Sequence, residues 1–213
     1  MKIPLLRCLL LGFAFATMNF AVAQTDVGLS VYGAFNGIAR TTVDSYGDEY
    51  LRPANAAGGM LEFRHIHSPW VGFEATYSLN RANQRYVYAI FGPTSTSGYG
   101  TGFYSLSAYA HEFTGDWIVS NHLTKSVLLF ALAGAGVQIT APSSSPSGSQ
   151  TATSSTPSYI YGFGADWQML RHLGLRAQYR GDIHKAPQIN LPFSTPNSFI
   201  HTAEPMVGVY YRF

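Results

Sequence analysis

Three features of this sequence predict an all-β protein, an eight-stranded antiparallel up-and-down transmembrane β-barrel. Eight stretches alternate apolar with small or polar residues, each near or above the roughly nine to eleven residues that a tilted strand needs to cross a membrane. The connections between them alternate strictly between short and long. Charged residues are only 11% of the chain, while 14 Tyr, 14 Phe and 21 Gly favour strand and turn, and no continuous apolar run of about 20 residues follows the leader. A membrane chain without spanning helices must close into a barrel, because backbone N–H and C=O groups have to be paired in lipid.

Residues 1–23 read as a secretory signal peptide. Lys2 and Arg7 form a basic start, an apolar stretch runs from Cys8 to about Met18, and Ala21-Val22-Ala23 supplies the small-x-small cleavage site. The apolar run is short for a spanning anchor. Residues 24–213 are then one barrel domain without a thiol, since Cys8 leaves with the leader. Removing Lys2 and Arg7 also leaves eleven basic residues against eleven acidic ones, so no broad field favours nucleic acid.

The first stretch, about Val27 to Arg40, sets Val27, Leu29, Val31 and Phe35 outward against Ser30, Tyr32, Ala34 and Asn36. In the second, about Asn55 to His65, Gly59, Leu61 and Phe63 face out while Met60, Glu62 and Arg64 face in. The third, Trp70 to Asn80, alternates most cleanly: Val71, Phe73, Ala75, Tyr77 and Leu79 oppose Gly72, Glu74, Thr76, Ser78 and Asn80. The fourth, about Gly102 to Val119, takes the parity that puts Phe103, Tyr109, Phe113 and Trp117 in lipid and Glu112 and Asp116 inside. The fifth, about Ser126 to Thr140, is nearly uniformly apolar, so alternation assigns it no facing.

Alternation returns in the sixth, Tyr159 to Met169, with Tyr159, Tyr161, Phe163 and Trp167 outward and Gly162, Gly164, Asp166 and Gln168 inward. In the seventh, Leu173 to Gly181, Leu175, Ala177 and Tyr179 oppose Arg176, Gln178 and Arg180. The eighth begins about Phe199 and puts Val207, Val209, Tyr211 and Phe213 on one face. Short links fall at 65–69, 120–125 and 170–172, and long ones at 41–54, 81–99, 141–158 and 184–198. Such sorting predicts both termini in the periplasm, turns on that side and loops outside. The Ser/Thr/Pro-rich stretch from Pro142 to Pro157 is expected to be a mobile surface loop, too polar to offset its ordering entropy by burial.

This facing sends Glu62, Arg64, Glu74, Glu112, Asp166, Arg176, Arg180, Glu204 and Arg212 into the bore. An interior of about eight strands is only wide enough to be filled by side chains, so the expected arrangement is a lumenal charge network that satisfies itself. The competing reading is a narrow solute path filtered by the same charges.

Catalytic and metal signals are weak. His65-Ile-His67 lacks further ligands nearby, His111-Glu112 lies on a strand without the second His of the zinc-protease motif, and no helix follows Gly98-Tyr-Gly-Thr-Gly102. No Gly-x-Ser-x-Gly elbow occurs. The enzyme alternative is a lipid A-modifying barrel, but the chain has no His-x-Ser pair, and His201 and Glu204 fall on opposite faces. No enzyme activity, cofactor or metal is expected.

Tyr161-Gly-Phe-Gly-Ala-Asp166, Leu175-Arg-Ala-Gln-Tyr-Arg180 and Val207-Gly-Val-Tyr-Tyr-Arg-Phe213, with the leader and the strand count, resemble the small bacterial outer-membrane β-barrel superfamily, typified by the transmembrane domain of outer-membrane protein A. That resemblance implies a Gram-negative outer-membrane location and contact with outer-membrane lipid and lipopolysaccharide. It also implies that Val209, Tyr211 and Phe213 form the signal read by the barrel assembly machinery. No peptidoglycan-binding domain follows the eighth strand, so that relative's wall-anchoring role is not implied. The expectation is a monomer acting structurally or through its surface loops, whose ligand the sequence does not name, with a narrow channel as the alternative.

Overall fold

The computed structural model describes residues 24–42, 48–68, 70–90, 100–143, 151–189 and 197–213. The expected leader, residues 1–23, lies outside them, as do 43–47, 91–99, 144–150 and 190–196 of the long connections. Among the described residues ten strand segments occur: β1 (Gln24–Asn36), β2 (Ala39–Thr42), β3 (Asp48–Pro53), β4 (Ala56–Ile66), β5 (Val71–Ile90), β6 (Gly100–His122), β7 (Val127–Pro142), β8 (Ser154–Gln168), β9 (Leu173–Lys185) and β10 (Phe199–Arg212). All pair antiparallel.

Eight of the ten close a cylinder in the order β5-β4-β1-β10-β9-β8-β7-β6, with β6 returning to β5. The last strand zips onto the first from Asp26↔Arg212 to Asn36↔Thr202, so the barrel has no open edge. The chain is thus a closed eight-stranded antiparallel barrel.

The remaining segments, β2 and β3, prolong the β1–β4 hairpin beyond the membrane zone. Ala34 pairs with Ala56 and Ala39 with Leu51, so the register is kept across the break. On the other side Pro53 pairs with Gln84 and Gly58 with Asn80; five steps along one strand face four along the other, a β-bulge at Ala54 and Asn55. Side chains staple the break: Asn36 donates through Nδ2 to the Ala54 carbonyl at 2.8 Å and through its backbone N–H to Asn55 Oδ1 at 3.2 Å.

The connections assigned as loops at 41–54 and 81–99 are therefore partly sheet. β5 runs to Ile90 and pairs with β6 up to Ile90↔Gly100. Residues 154–157 of the Ser/Thr/Pro stretch likewise belong to β8, while its centre falls outside the described residues. The short turns close alike, with His67 and Ser68 donating to the Val71 carbonyl, Leu123 to Val127, and Met169 and Leu170 to Leu173.

The outer wall is apolar because lipid is its solvent. Leu29, Val31, Phe63, Phe113, Trp117 and Phe163 are all exposed on it. β7 now has a facing: Leu128, Phe130, Leu132, Gln138 and Thr140 point inward. Its alternation is hidden in the sequence because Ile118, Phe130, Leu132 and Ile160 form an apolar cluster inside the bore, so both faces of β7 are apolar.

Aromatic rings lie across glycines on the neighbouring strand. Tyr32 pairs with Gly58 and covers the space a Cβ would need, and Asn80 Nδ2 donates to the Tyr32 hydroxyl at 3.1 Å. Gly59, one residue on, faces out, and a Cβ there would meet nothing closer than 4.0 Å. Gly58→Ala should cost about 1–3 kcal/mol, because the ring must move. Gly59→Ala should leave stability nearly unchanged. Urea unfolding of the two variants from lipid vesicles tests this contrast.

Candidate functional site

The bore holds two ionic clusters built on β9, where Arg176 and Arg180 sit four residues apart and so share the inward face. Each begins with a partner directly across the strand pair: Arg176 with Asp166 on β8, and Arg180 with Glu204 on β10. Arg64 on β4 is likewise opposite Glu74 on β5. Pairing register alone sets these three contacts.

The other contacts span the bore. Arg176 donates from Nε to Asp166 Oδ1 at 2.8 Å, from Nη1 to Glu62 Oε2 at 2.5 Å and from Nη2 to Asp26 Oδ1 at 3.0 Å, and its Nη1 lies 3.6 Å from Glu74 Oε2. Arg64 reaches Glu74 at 2.6 Å and Asp166 at 3.1 Å. Both guanidiniums stand over the Phe130 ring, Arg64 at 4.0 Å and Arg176 at 5.8 Å from its centroid. Arg176 and every acid it meets are buried. This first cluster joins β1, β4, β5, β8 and β9.

In the second cluster Arg180 donates to Glu112 on β6 at 2.5 Å and to Glu204 at 2.8 Å. Beside it Asp182 accepts from Ser158 Oγ and sits 2.6 Å from His184 Nδ1. Asp116, buried opposite Gly134, accepts from Thr114 Oγ1 at 2.8 Å. Glycine at 134 is required there, since a Cβ would run into the Asp116 carboxylate.

Of the nine charged residues assigned to the interior, eight are buried in these clusters. Arg212 stands apart at the mouth beside the short turns, half buried, where Nη1 donates to Gln168 Oε1 at 2.5 Å and the guanidinium lies 5.3 Å from the Tyr210 ring centroid. The interior also takes in Asp26, Asp182 and His184. Asp26 precedes Val27, where the first alternating stretch begins, and the other two follow Gly181, where the seventh ends. Continuing both parities by one or two steps would have found them.

Above the second cluster the bore is capped. Ala39, Leu51, Tyr86, Leu106, Ala108, Ala186, Ile189 and Ile200 form one buried apolar group, six of them less than 2% exposed. Residues 186–189 run into it, held by Ala186 donating to the Ser198 carbonyl at 3.1 Å and Tyr86 Oη donating to the Pro187 carbonyl at 3.3 Å. Between cap and cluster remains a cavity of about 20 Å³, lined by Asn80, Gln84, Gln138, Asp182 and Glu204 among others. That is room for about one water molecule.

The histidines are dispersed. His65 Nδ1 bonds Thr25 Oγ1 at 2.8 Å in the wall, and among the described residues no three His, Cys, Asp or Glu side chains are placed to hold a metal ion. His201 is exposed on the outer wall and bonds the Tyr161 hydroxyl at 2.7 Å, whereas Glu204 is buried in the bore. The barrel wall separates them.

No protein-family model matches the sequence, and no curated protein matches it. Solved structures are similar in fold. Neisserial surface protein A aligns with a TM-score of 0.56 at 13% identity, covering 91% of this chain and 100% of that one. The outer membrane protein OprG from Pseudomonas aeruginosa aligns at 0.53 and 11% identity, covering 92% and 97%. At such identities the likeness speaks for fold: this chain has the fold of the small bacterial outer-membrane β-barrels.

Arg176→Met should destabilise the barrel by about 3–5 kcal/mol, since it strands buried carboxylates on four strands. Arg180→Met, which strands Glu112 and Glu204, should cost less. Urea midpoints in lipid vesicles rank the two, and equal midpoints would mean that the larger number of partners around Arg176 adds nothing to stability.

Proposed function

We propose that this chain is a monomeric outer-membrane barrel with a structural or surface-interaction role, exerted through the loops at the end opposite the short turns. The observation that carries this reading is the filled bore. Among the described residues, two ionic clusters, the apolar group around β7 and the cap at 186–189 occupy the bore and leave a cavity of about 20 Å³ between cap and cluster, which supports placing the working surface on the outside of the molecule. A narrow channel would need the cap displaced and the arginines stripped of their partners. A lipid A-modifying enzyme would need an acid and base on one face, and His201 and Glu204 lie on two.

In this reading residues 1–23 are a leader removed on export. The face carrying Val209, Tyr211 and Phe213 meets the assembly machinery before closure. All three are exposed on the outer wall, where Tyr211 lies between His172, stacked at 5.7 Å, and Phe213, edge-on at 5.4 Å.

Planar-bilayer recordings of the refolded protein should be silent; steady unitary openings would overturn the non-channel reading. Phe213→Ala should lower the amount of folded barrel in cells several-fold while shifting the urea midpoint of refolded protein little. Loss of the two in parallel would mean that Phe213 serves stability and not assembly.

A further inference from the structure

The bore is short of positive charge. Eight carboxyl groups are buried in it, against three guanidiniums and the His184 imidazole. Every other Lys and Arg of residues 24–213 is exposed, apart from Arg212 at the mouth, and the undescribed residues of that span contain none. The shortfall divides evenly. Asp26, Glu62, Glu74 and Asp166 share Arg64 and Arg176, while Glu112, Asp116, Asp182 and Glu204 share Arg180 and His184. Even with the imidazole charged, the second cluster lacks two positive charges. Buried charges are stable when they are paired or when they coordinate a metal.

Beside the second cluster lie both free space and free oxygen. The cavity of about 20 Å³ beneath the cap persists because Ala82 and Ala110, which line it, are too short to fill it. Glu112, Asp182 and Glu204 line the same space, together with Gln84 of β5 and Gln138 of β7. Gln138 is directly opposite Glu112 in the sheet. The two glutamines are 6% and 9% exposed, and the Oε1 of each is buried without a hydrogen-bond partner. Buried acceptors left in that state are destabilising. A water molecule in the cavity would satisfy these oxygens and leave the charge uncorrected, whereas a cation answers both.

The donor set selects the cation. Its groups are carboxylates and amide carbonyls, so the ligands are all oxygen, which suits a hard ion over the softer transition metals. Among the described residues no three His, Cys, Asp or Glu side chains converge on one point, and the amide oxygens are therefore needed to complete the coordination. Two missing charges match a divalent ion. Mg²⁺ gives up its waters reluctantly and demands a near-ideal octahedron, and space for about one water molecule leaves no room for its hydration shell. Ca²⁺ accepts protein oxygens in irregular geometry.

We propose that the cavity beneath the cap binds a single hard divalent cation of calcium's size through Gln84, Gln138 and the carboxylates of Glu112, Asp182 and Glu204. The apolar cap closes over the ion, so it is taken up as the barrel folds and exchanges slowly afterwards. This site is independent of what the loops bind.

The test refolds the protein in dodecylmaltoside, without lipid, in Ca²⁺, Mg²⁺ or Na⁺ alone, and counts retained ions by native mass spectrometry. Heat-modifiable migration in gels verifies that each sample has closed. Closed wild-type barrel should retain one Ca²⁺ and neither of the other ions. Refolding across a series of chelator-buffered Ca²⁺ concentrations then gives the concentration for half occupancy. Gln84→Leu/Gln138→Leu, which removes both amide oxygens without altering charge, should raise that concentration at least about tenfold, the equivalent of one lost charge-assisted contact. The single Gln138→Leu variant, expected to give part of the rise, keeps the site testable if the double variant fails to close. Ser30→Ala, in the first cluster, should leave it unchanged. Closed wild-type barrel without Ca²⁺, or unchanged half occupancy in the Gln→Leu variants, overturns the proposal. An equal rise in Ser30→Ala overturns the location, and Mg²⁺ or Na⁺ retained as fully as Ca²⁺ overturns the choice of ion.

Discussion

Arg176 is the tie on which the cylinder depends. Its guanidinium bonds carboxylates from β1, β4 and β8 while its own backbone belongs to β9, so one side chain fixes strands on both sides of the bore. The backbone ladder alone would allow the tube to flatten, since hydrogen bonds constrain neighbours and not opposite walls. Arg64 to Asp166 and Arg180 to Glu112 repeat the device at two other positions. Because these charges have left water, each contact is held by the cost of breaking it more than by its net gain. The interior is thereby rigid without being conventionally hydrophobic.

The same constraint explains which parts of the molecule were legible in the sequence. Where lipid lies on one side and charge on the other, alternation has to be strict, and β4, β5 and β9 could be read residue by residue: Leu61 out and Glu62 in, Phe73 out and Glu74 in, Leu175 out and Arg176 in. It failed on β7, whose inward Leu128, Phe130 and Leu132 are as apolar as the lipid face. Register also made Arg176–Asp166 and Arg180–Glu204 derivable in principle once the hairpins were placed. The bore-spanning partners were not, since Glu62 and Arg176 are 114 residues apart and meet only after closure fixes stagger and diameter. The cap was hidden for another reason. Leu51, Tyr86 and Ile189 come from stretches whose polar and irregular composition reads as loop, and only their convergence over the mouth makes them a core.

Filling the bore with acids has a consequence outside it. Residues 24–213 carry eleven basic and eleven acidic residues, so committing eight of the acids to the interior against three fully buried arginines leaves the exposed charge predominantly basic. Interior packing and surface charge are thus one design decision.

That coupling bears on how the molecule could change function without changing fold. A conducting bore requires the spanning contacts to be given up, and with them the cross-ties that hold opposite walls at a fixed distance; strand number would then have to rise for side chains to line a lumen without filling it. The loops face no such restriction. They hang from β2–β3 and from the upper halves of β5 and β6, whose pairing continues well past the lipid belt and is anchored by the apolar cap beneath. Change in the 43–47 and 91–99 connections is therefore separated from the ionic core by the paired extensions of β2, β3, β5 and β6 and by the apolar cap, whereas a single neutral residue at Arg176 reaches four strands at once.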